Sequence, residues 1–409
     1  MRILYIIPSL QHPNVRGPHR HYHFVRELSK RHKITLLAIV RSQISPAVFK
    51  EMESYTEKIF TFDVNDGSSS KMATTFQHLP LVGSRVAQKL RLRAGVQEMK
   101  HSFFQLVNQE AFDVILFHGK SIFSVIEDCE DLPIVTDFCD ATSSRYRNEM
   151  QYNGLLRKPL YLWKIWQMQK IEKEMIKKTP HIAFISNRDR EAVLGTDSQS
   201  QILLNGVDQK YWQRSSKRSH ANRIIFTGVM DYAPNNDAAL YLVDNILPII
   251  KEKIPNIEIF IVGRDPSATL LKKAKELPEV TVTGFVEDLR PYLEQATLFV
   301  APVRYASGTQ NKVLEAMAIE LPIVTTSVVA DGLRVERDEE PPVCYADNEN
   351  DFAEHVIKLL KNKSEKERLA AEGRQFIERH FNWERSAEKL EKMCFEAISE
   401  QQMTRNDES

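Results

Sequence analysis

The strongest constraint on this chain is an alternation that runs almost from end to end, in which short apolar, strand-like runs are separated by amphipathic helical stretches. Such an alternation selects parallel sheets, because two parallel strands need a crossover between them and a helix usually supplies it. Strand-like runs fall at Arg2–Ile7, Ile34–Val40, Lys58–Val64, Asp113–Phe117, Pro133–Phe138, His181–Ser186 and Gln201–Leu204. The pattern then begins again with RIIFTG at Arg223, IEIFIVG at Ile257, VTVTGF at Val280, LFVAPV at Leu298, PIVTTS at Pro322 and PPVCYA at Pro341. The first helix is expected to open at Pro18, whose fixed φ suits a first turn. After Asn348 the chain turns helical, and it ends in a frayed polar tail from Met403.

At 409 residues the chain exceeds what one core usually organises, and 42% apolar residues suffice for two. The expectation is an α/β protein of two Rossmann-like, doubly wound parallel-sheet domains facing across a cleft. The first spans 1–205 and the second 206–383, with a C-terminal helix at 384–402 packing back on the first and Asn205–Ala221 as linker. Lys plus Arg equals Asp plus Glu at 55 each, which argues against a nucleic-acid binder relying on overall positive charge. Cys129, Cys139, Cys344 and Cys394 lack the paired spacing of a zinc site and read as free thiols. MRILYIIPSL reads as a first strand, not a signal peptide, and no run approaches the ~20 apolar residues of a spanning helix. Any membrane contact is then peripheral.

The segment Leu298–Thr326, LFVAPVRYASGTQNKVLEAMAIELPIVTT, carries the most chemistry. Two strand-like runs bracket a glycine loop and a helix bearing Lys312 and Glu315, which share one face at i and i+3. A helix start favours an anion through its free N–H groups and dipole, and Gly308 permits close approach. Lys312 adds a point charge for phosphate oxygens, and Glu315 offers two acceptors for ribose hydroxyls. A lysine and glutamate three apart also form an ordinary surface ion pair. Their place at a strand's carboxyl end, where open parallel sheets bind ligands, selects the nucleoside diphosphate.

Other residues gather at the same ends. His118 follows DVILF and precedes a glycine, so its imidazole is placed to bond sugar hydroxyls or phosphate and to pass a proton near neutral pH. Asp137 and Asp140 read equally as a carboxylate pair on the acceptor side or as a capping turn, with Asp140 or Thr142 starting the next helix. His12, His19, His21 and His23 invite a zinc reading, but no cysteine or suitable carboxylate completes a tetrahedral set, and no metal is expected. Two basic stretches, Ser84–Lys100 with Arg85, Lys89, Arg91 and Arg93, and Arg157–Lys178 with Tyr161, Trp163 and Trp166, suit an anionic membrane surface. For the second, a solvated face over a buried aromatic stripe is the preferred reading.

Several motifs, in order, give the chain a family resemblance: ILLNGVD at Ile202, FTGVMDYAPNNDAA at Phe226, IVGRDPS at Ile261, VTGFVEDLRPYLEQA at Val282, APVRYASGTQNKVLEAMA at Ala301 and FNWERS at Phe381. Over nearly its whole length the chain resembles the GT-B fold glycosyltransferases of family four, in the branch of bacterial sugar transferases for exported polysaccharide, of the exosortase/PEP-CTERM-associated type. The resemblance implies transfer of a sugar from a nucleotide-diphosphate donor to a glycan or lipid-linked acceptor, with retention and without a metal or other cofactor. It places the enzyme in the cytoplasm, at the inner face of the membrane. It implies donor contacts from Gly228, Arg264, Arg304, Ser307, Gly308, Thr309, Lys312, Glu315, Gly332 and Leu333. Acceptor contacts are implied for Gly17 and His118, beside which Asp137 and Asp140 stand as acceptor-side candidates on their own placement, with His118, Lys312 and Glu315 nearest the chemistry.

Three positions depart from the family pattern. Of its glutamate pair only Glu315 is present, since Ser307 stands at the first position. The arginine and lysine that often follow the first glycine of the second domain are absent after Gly228, where Val229, Met230 and Asp231 follow. Glu320 replaces a glycine at an expected helix C-terminus, which implies a modest stability cost.

Overall fold

Strands buried on both faces must be apolar along their length, and the central runs Ile3–Ile7, Val114–Phe117 and Leu298–Ala301 are. The computed structural model describes residues 1–13, 19–41, 43–64, 83–152, 154–196, 198, 200–215, 220–335 and 339–407. One sheet contains β1 (Arg2–Ile7), β2 (Lys33–Val40), β3 (Lys58–Asp63), β4 (Val114–Phe117), β5 (Ile134–Cys139), β6 (His181–Phe184) and β7 (Gln201–Ile202). The other contains β8 (Arg223–Thr227), β9 (Glu258–Val262), β10 (Val280–Val282), β11 (Leu298–Ala301), β12 (Ile323–Thr325) and β13 (Cys344–Tyr345). All pairings are parallel, in the orders β3-β2-β1-β4-β5-β6-β7 and β10-β9-β8-β11-β12-β13. The doubly wound architecture expected from the sequence is therefore present twice. Each order reverses beside its first strand, which opens a crevice beyond the carboxyl ends of β1 and β4, and of β8 and β11.

Period-two alternation sends neighbouring residues of β1 into different cores. Ile3, Tyr5 and Ile7 join Phe24, Val25 and Leu28 of the helix Arg20–Leu28, together with Trp383, Leu390 and Met393. Leu4 and Ile6 join Met99 and Phe103 of the helix Gly83–Gln109. The C-terminal helix, Trp383–Asp407, is thus part of the first domain's core although the chain reaches it from the second. The second domain has its own core, with Phe226, Phe299, Leu314, Met317, Phe352 and Phe376.

The two passages between domains run side by side. Val207 N–H donates to the Phe381 carbonyl at 3.1 Å. A Cβ on Gly206 would stand 2.4 Å from the Trp383 nitrogen, so only glycine fits this crossing. Trp383 in turn stacks on His23, with ring centroids 4.3 Å apart and planes 9° from parallel. His23 is therefore a packing residue, and burial pulls its pKa down to about 3, with Arg26 and two neighbouring histidines adding to the effect.

Three expectations are revised or left open. The first helix begins at Arg20; Gly17 and Pro18 lie outside the described residues, as does the side chain of Arg85. The helix Lys158–Lys178 buries Tyr161, Ile165, Glu172 and Met175, whereas Trp163 and Trp166 face solvent. The buried aromatic stripe expected there is thus an aliphatic one with a single tyrosine. Glu320 has φ +59°, the left-handed conformation a glycine would adopt at this helix end.

Left-handed backbone costs a residue with a Cβ about 1–2 kcal/mol, and the larger chain entropy of glycine returns part of that. Glu320→Gly is therefore expected to stabilise the protein by about 1 kcal/mol, read as a rise in the urea midpoint at unchanged slope.

Candidate active site

β4 delivers His118 to the crevice. Its Nδ1 lies 2.8 Å from the Asp137 carbonyl oxygen, which can only accept, so the proton sits on Nδ1 and Nε2 keeps its lone pair. Burial holds its pKa below the ordinary value, although Asp137 acts in the opposite direction. The ring is neutral at pH 7 and able to accept a hydrogen bond from a hydroxyl. The His21 ring lies beside it, centroids 4.1 Å apart. Tyr5 O–H meets His21 Nδ1 at 2.6 Å, and His21 Nε2 stands 3.8 Å from Asp137 Oδ2.

The side chain of Asp137 is committed elsewhere. Arg20 donates to it through Nε at 2.6 Å and Nη2 at 3.3 Å, and both residues are buried. This corrects the acceptor-side assignment of Asp137, whose carboxylate serves a structural pair. His21, His118 and Asp137 bring ligand-type atoms within 4.8 Å of one another. A divalent cation there would meet the Arg20 guanidinium already paired with the carboxylate, so the cluster does not fit a metal.

Asp140 faces the second domain. The register shifts between Asp137 and Cys139, and Cys139 takes φ +64°, which re-aims the chain at the end of β5. Asp140 Oδ2 accepts from Ser307 Oγ across the cleft at 2.6 Å, Oδ1 accepts from Thr142 Oγ1 at 3.2 Å, and Lys120 Nζ lies at 3.6 Å. Burial alone would raise its pKa, but Lys120, Arg145 and the two hydroxyls outweigh it and hold the carboxyl at about 2. The helix Thr142–Gln151 receives no cap from Asp140. Instead Asp189 accepts from Ala141 N–H at 3.0 Å and Glu172 from Ser143 N–H at 3.2 Å.

On the donor side, the loop after β11 forms the joint between domains. Gly308, at φ +64°, donates its N–H to Asp189 Oδ2 at 3.1 Å and accepts from Arg188 Nη2 at 3.0 Å. A Cβ on Gly332 would stand 2.6 Å from the Gly308 oxygen, and Thr309 Oγ1 donates to the Gly332 carbonyl at 2.8 Å. Leu333 is wholly buried in the core. In this arrangement the Gly308 amide points at a carboxylate, not at an anion site. That revises its expected contact with the diphosphate, and leaves the role to the start of the helix Asn311–Ala318.

Lys312 and Glu315 follow on that helix. Lys312 Nζ donates to Asn235 Oδ1 and stands 4.9 Å over the Phe226 ring. Desolvation pulls Lys312 down to about 7 and pushes Glu315 up to about 7, each partly countered by the other's charge. Glu315 and Asn311 border a cavity of about 480 Å³ between the domains. Phe285, Val286 and Leu289 give it an apolar wall, Tyr211 and Trp212 an aromatic one, and His19, His23 and Arg26 face it from the first domain. This volume and lining suit a nucleoside. Gly228 abuts Asn235 and Gly263. Arg264 meets Asp265 only at 3.9 Å, and its buried Nε makes no hydrogen bond. Arg304 is not available as expected: it forms a fork with Asp237, with Nε at 2.9 Å, and lies between the rings of Tyr152 and Tyr241.

The sequence pattern does not single out Arg20, Lys120, Arg188 or Asp189. Only the SNRDR motif that begins at Ser186, a strand end running into a helix start, carries a signal for the last two.

Residues 221–362 match the family model described as glycosyl transferases group 1. An uncharacterized 44.6 kDa protein in the cps region of Klebsiella pneumoniae is 19% identical over 368 residues, which cover 86% of this chain and 88% of that protein. The capsular polysaccharide biosynthesis glycosyltransferase CapM of Staphylococcus aureus is 26% identical over 150 residues, 36% of this chain and 39% of CapM. Among solved structures, TarM superposes with a TM-score of 0.67 at 10% identity, covering 96% of this chain and 98% of TarM. HepE of Anabaena, solved in complex with UDP-glucose, superposes at 0.64 with 11% identity over 99% of this chain and all of its own. The fold is GT-B, and its second domain carries the group 1 match.

The lowered pKa of buried Lys312 gives a proton linkage its sign. Burial disfavours the charged form of Lys312, and a bound diphosphate favours it. Binding of a nucleoside diphosphate is expected to take up protons at pH 8, with affinity falling as pH rises above about 7 through the raised pKa of Lys312 in the complex. Calorimetry in buffers of different ionisation heat measures this, and Lys312→Gln should abolish the uptake.

Proposed function

We propose that the protein is a retaining glycosyltransferase that moves a sugar from a nucleotide-diphosphate donor to a glycan or lipid-linked acceptor in assembly of an exported surface polysaccharide. The observation that carries this reading is the cavity bordered by Glu315, one turn beyond Lys312, within the segment matching group 1 transferases. The relatives support it, since CapM is a capsular polysaccharide biosynthesis glycosyltransferase and HepE was solved with UDP-glucose. An exosortase-associated role and a cytoplasmic site of action at the inner membrane face belong to the same proposal.

In this reading the C1–O bond to the diphosphate breaks and the acceptor oxygen bonds C1 on the face being vacated. The acceptor's proton passes to the departing phosphate oxygen, so the step needs no enzyme nucleophile. Lys312, Arg264 and the first-turn amides of the helix Asn311–Ala318 stabilise the charge that develops on phosphate. Their charge takes the place of a metal. Neutral His118 accepts a hydrogen bond at Nε2 from a hydroxyl of the bound sugars. A second reading, a GT-B protein that binds nucleotide sugar without turnover, is favoured by Ser307, which stands where the family has a glutamate and is bonded to Asp140.

Glu315→Gln is expected to weaken nucleotide-sugar binding by on the order of 1–3 kcal/mol with the fold retained, in titration calorimetry. His118→Ala should lower turnover at least tenfold with donor affinity nearly unchanged. Proton NMR of the product should show the donor's anomeric configuration, and a chelator should leave the rate unaltered. A donor that binds while no acceptor from a glycan and lipid panel is glycosylated would establish the second reading.

A further inference from the structure

The helix Lys158–Lys178 and the turn before it expose apolar side chains that the described fold leaves uncovered. Leu156 is 99% exposed, Leu155 76% and Trp166 61%, and Leu160, Leu162 and Trp163 are about half exposed or more. The helix already buries Tyr161, Ile165 and Met175 against the first domain, so these residues form a second, outward apolar face. From Gly154 to Ile171 the chain carries Arg157, Lys158, Lys164 and Lys170 and no carboxylate.

An exposed strip that is both apolar and uniformly basic has a narrow range of partners. A second copy meeting it face to face would oppose cations to cations. An anionic bilayer satisfies both features, since tryptophan and leucine enter the headgroup boundary while lysine and arginine meet lipid phosphates. The strip also borders the cleft. Tyr152, at its start, stacks on Tyr305 of the second domain with ring centroids 5.2 Å apart, and the preceding helix begins two residues after Asp140. We propose that this strip, Leu155 to Lys170, docks the protein on anionic membrane with the cleft mouth beside the lipid surface. The inference deepens the proposed function by naming where a lipid-linked acceptor is met. It also replaces the Lys89, Arg91 and Arg93 cluster as the membrane contact, because the described part of that helix exposes no large apolar side chain beside its charges.

The test is cosedimentation of the full chain with vesicles of phosphatidylglycerol and phosphatidylcholine, against phosphatidylcholine alone, with tryptophan emission recorded in parallel. The wild type should pellet with the anionic vesicles and its emission should shift to the blue. Leu155→Ser with Leu156→Ser, and separately Trp163→Ser with Trp166→Ser, should each lower partitioning at least tenfold with circular dichroism, melting temperature and nucleotide-sugar affinity unchanged. Lys158→Gln with Lys170→Gln should make the remaining binding weaker and less sensitive to salt, whereas Lys89→Gln with Arg93→Gln should leave it unaltered. The inference is overturned if the wild type does not pellet at low salt, or if only the Lys89 and Arg93 variant loses binding. A dimer in sedimentation equilibrium that the Leu155 and Leu156 variant dissolves would also overturn it. Vesicle binding is read without turnover, so loss of this inference and loss of the transferase reading are separate results.

Discussion

A buried guanidinium organises the cleft. Arg20 donates to both oxygens of Asp137, to Asn205 Oδ1 at 2.7 Å and to the Leu203 carbonyl at 2.8 Å. Two charges taken out of water cost several kcal/mol each, which good geometry and further hydrogen bonds can offset. Here the guanidinium is satisfied from three directions, so the first helix, the end of β5 and the chain after β7 are fixed to one another. The network continues on both sides. Asn205 Nδ2 donates to Asn311 Oδ1 at 2.6 Å, at the start of the donor-side helix, and the backbone carbonyl of Asp137 sets the His118 tautomer. One ion pair therefore positions groups on both domains.

The seam between domains depends on two further carboxylates from the first domain, both acting on the loop after β11. Asp189 accepts from Gly308 N–H and Ala141 N–H, and Asp140 accepts from Ser307. Arg188 completes the grip by donating to the Gly308 and Val328 carbonyls. The loop is thus held by side chains far from it in sequence. At Ser307 a short hydroxyl lets the Asp140 carboxylate approach from the opposite domain, which places negative charge near that point.

These cross-cleft contacts mark the boundary of what the sequence reveals. The central strands are visible as apolar runs because both of their faces are buried, the edge strands because they repeat the same alternation, and the repeated order shows two doubly wound sheets. Lys312 and Glu315 are visible because a strand end, a glycine and a helix start are all local. The partners of Arg304 and Asp137 are not, since Asp237 lies 67 residues from Arg304 and Arg20 lies 117 from Asp137. A charge that looks available in a motif can be neutralised by a residue only the fold brings near. The helix Lys158–Lys178 misleads for another reason: it is apolar on two faces, so periodicity alone cannot say which face is inside.

The same pairing logic leaves few free cations at the proposed donor side. Arg20 is committed to Asp137, Arg304 to Asp237, and Lys120 lies beside Asp140, so their charges are balanced before a ligand arrives. Lys312 differs because its neighbour Glu315 is itself pushed towards neutrality by desolvation. An empty site of this kind holds little fixed charge and avoids most of the cost of burying it. A diphosphate supplies the missing counter-charge, and the lysine is then stabilised in its charged form in a place where water screens it weakly. In the proposed transferase the cation is strongest when phosphate is present, which is when a leaving nucleoside diphosphate needs it.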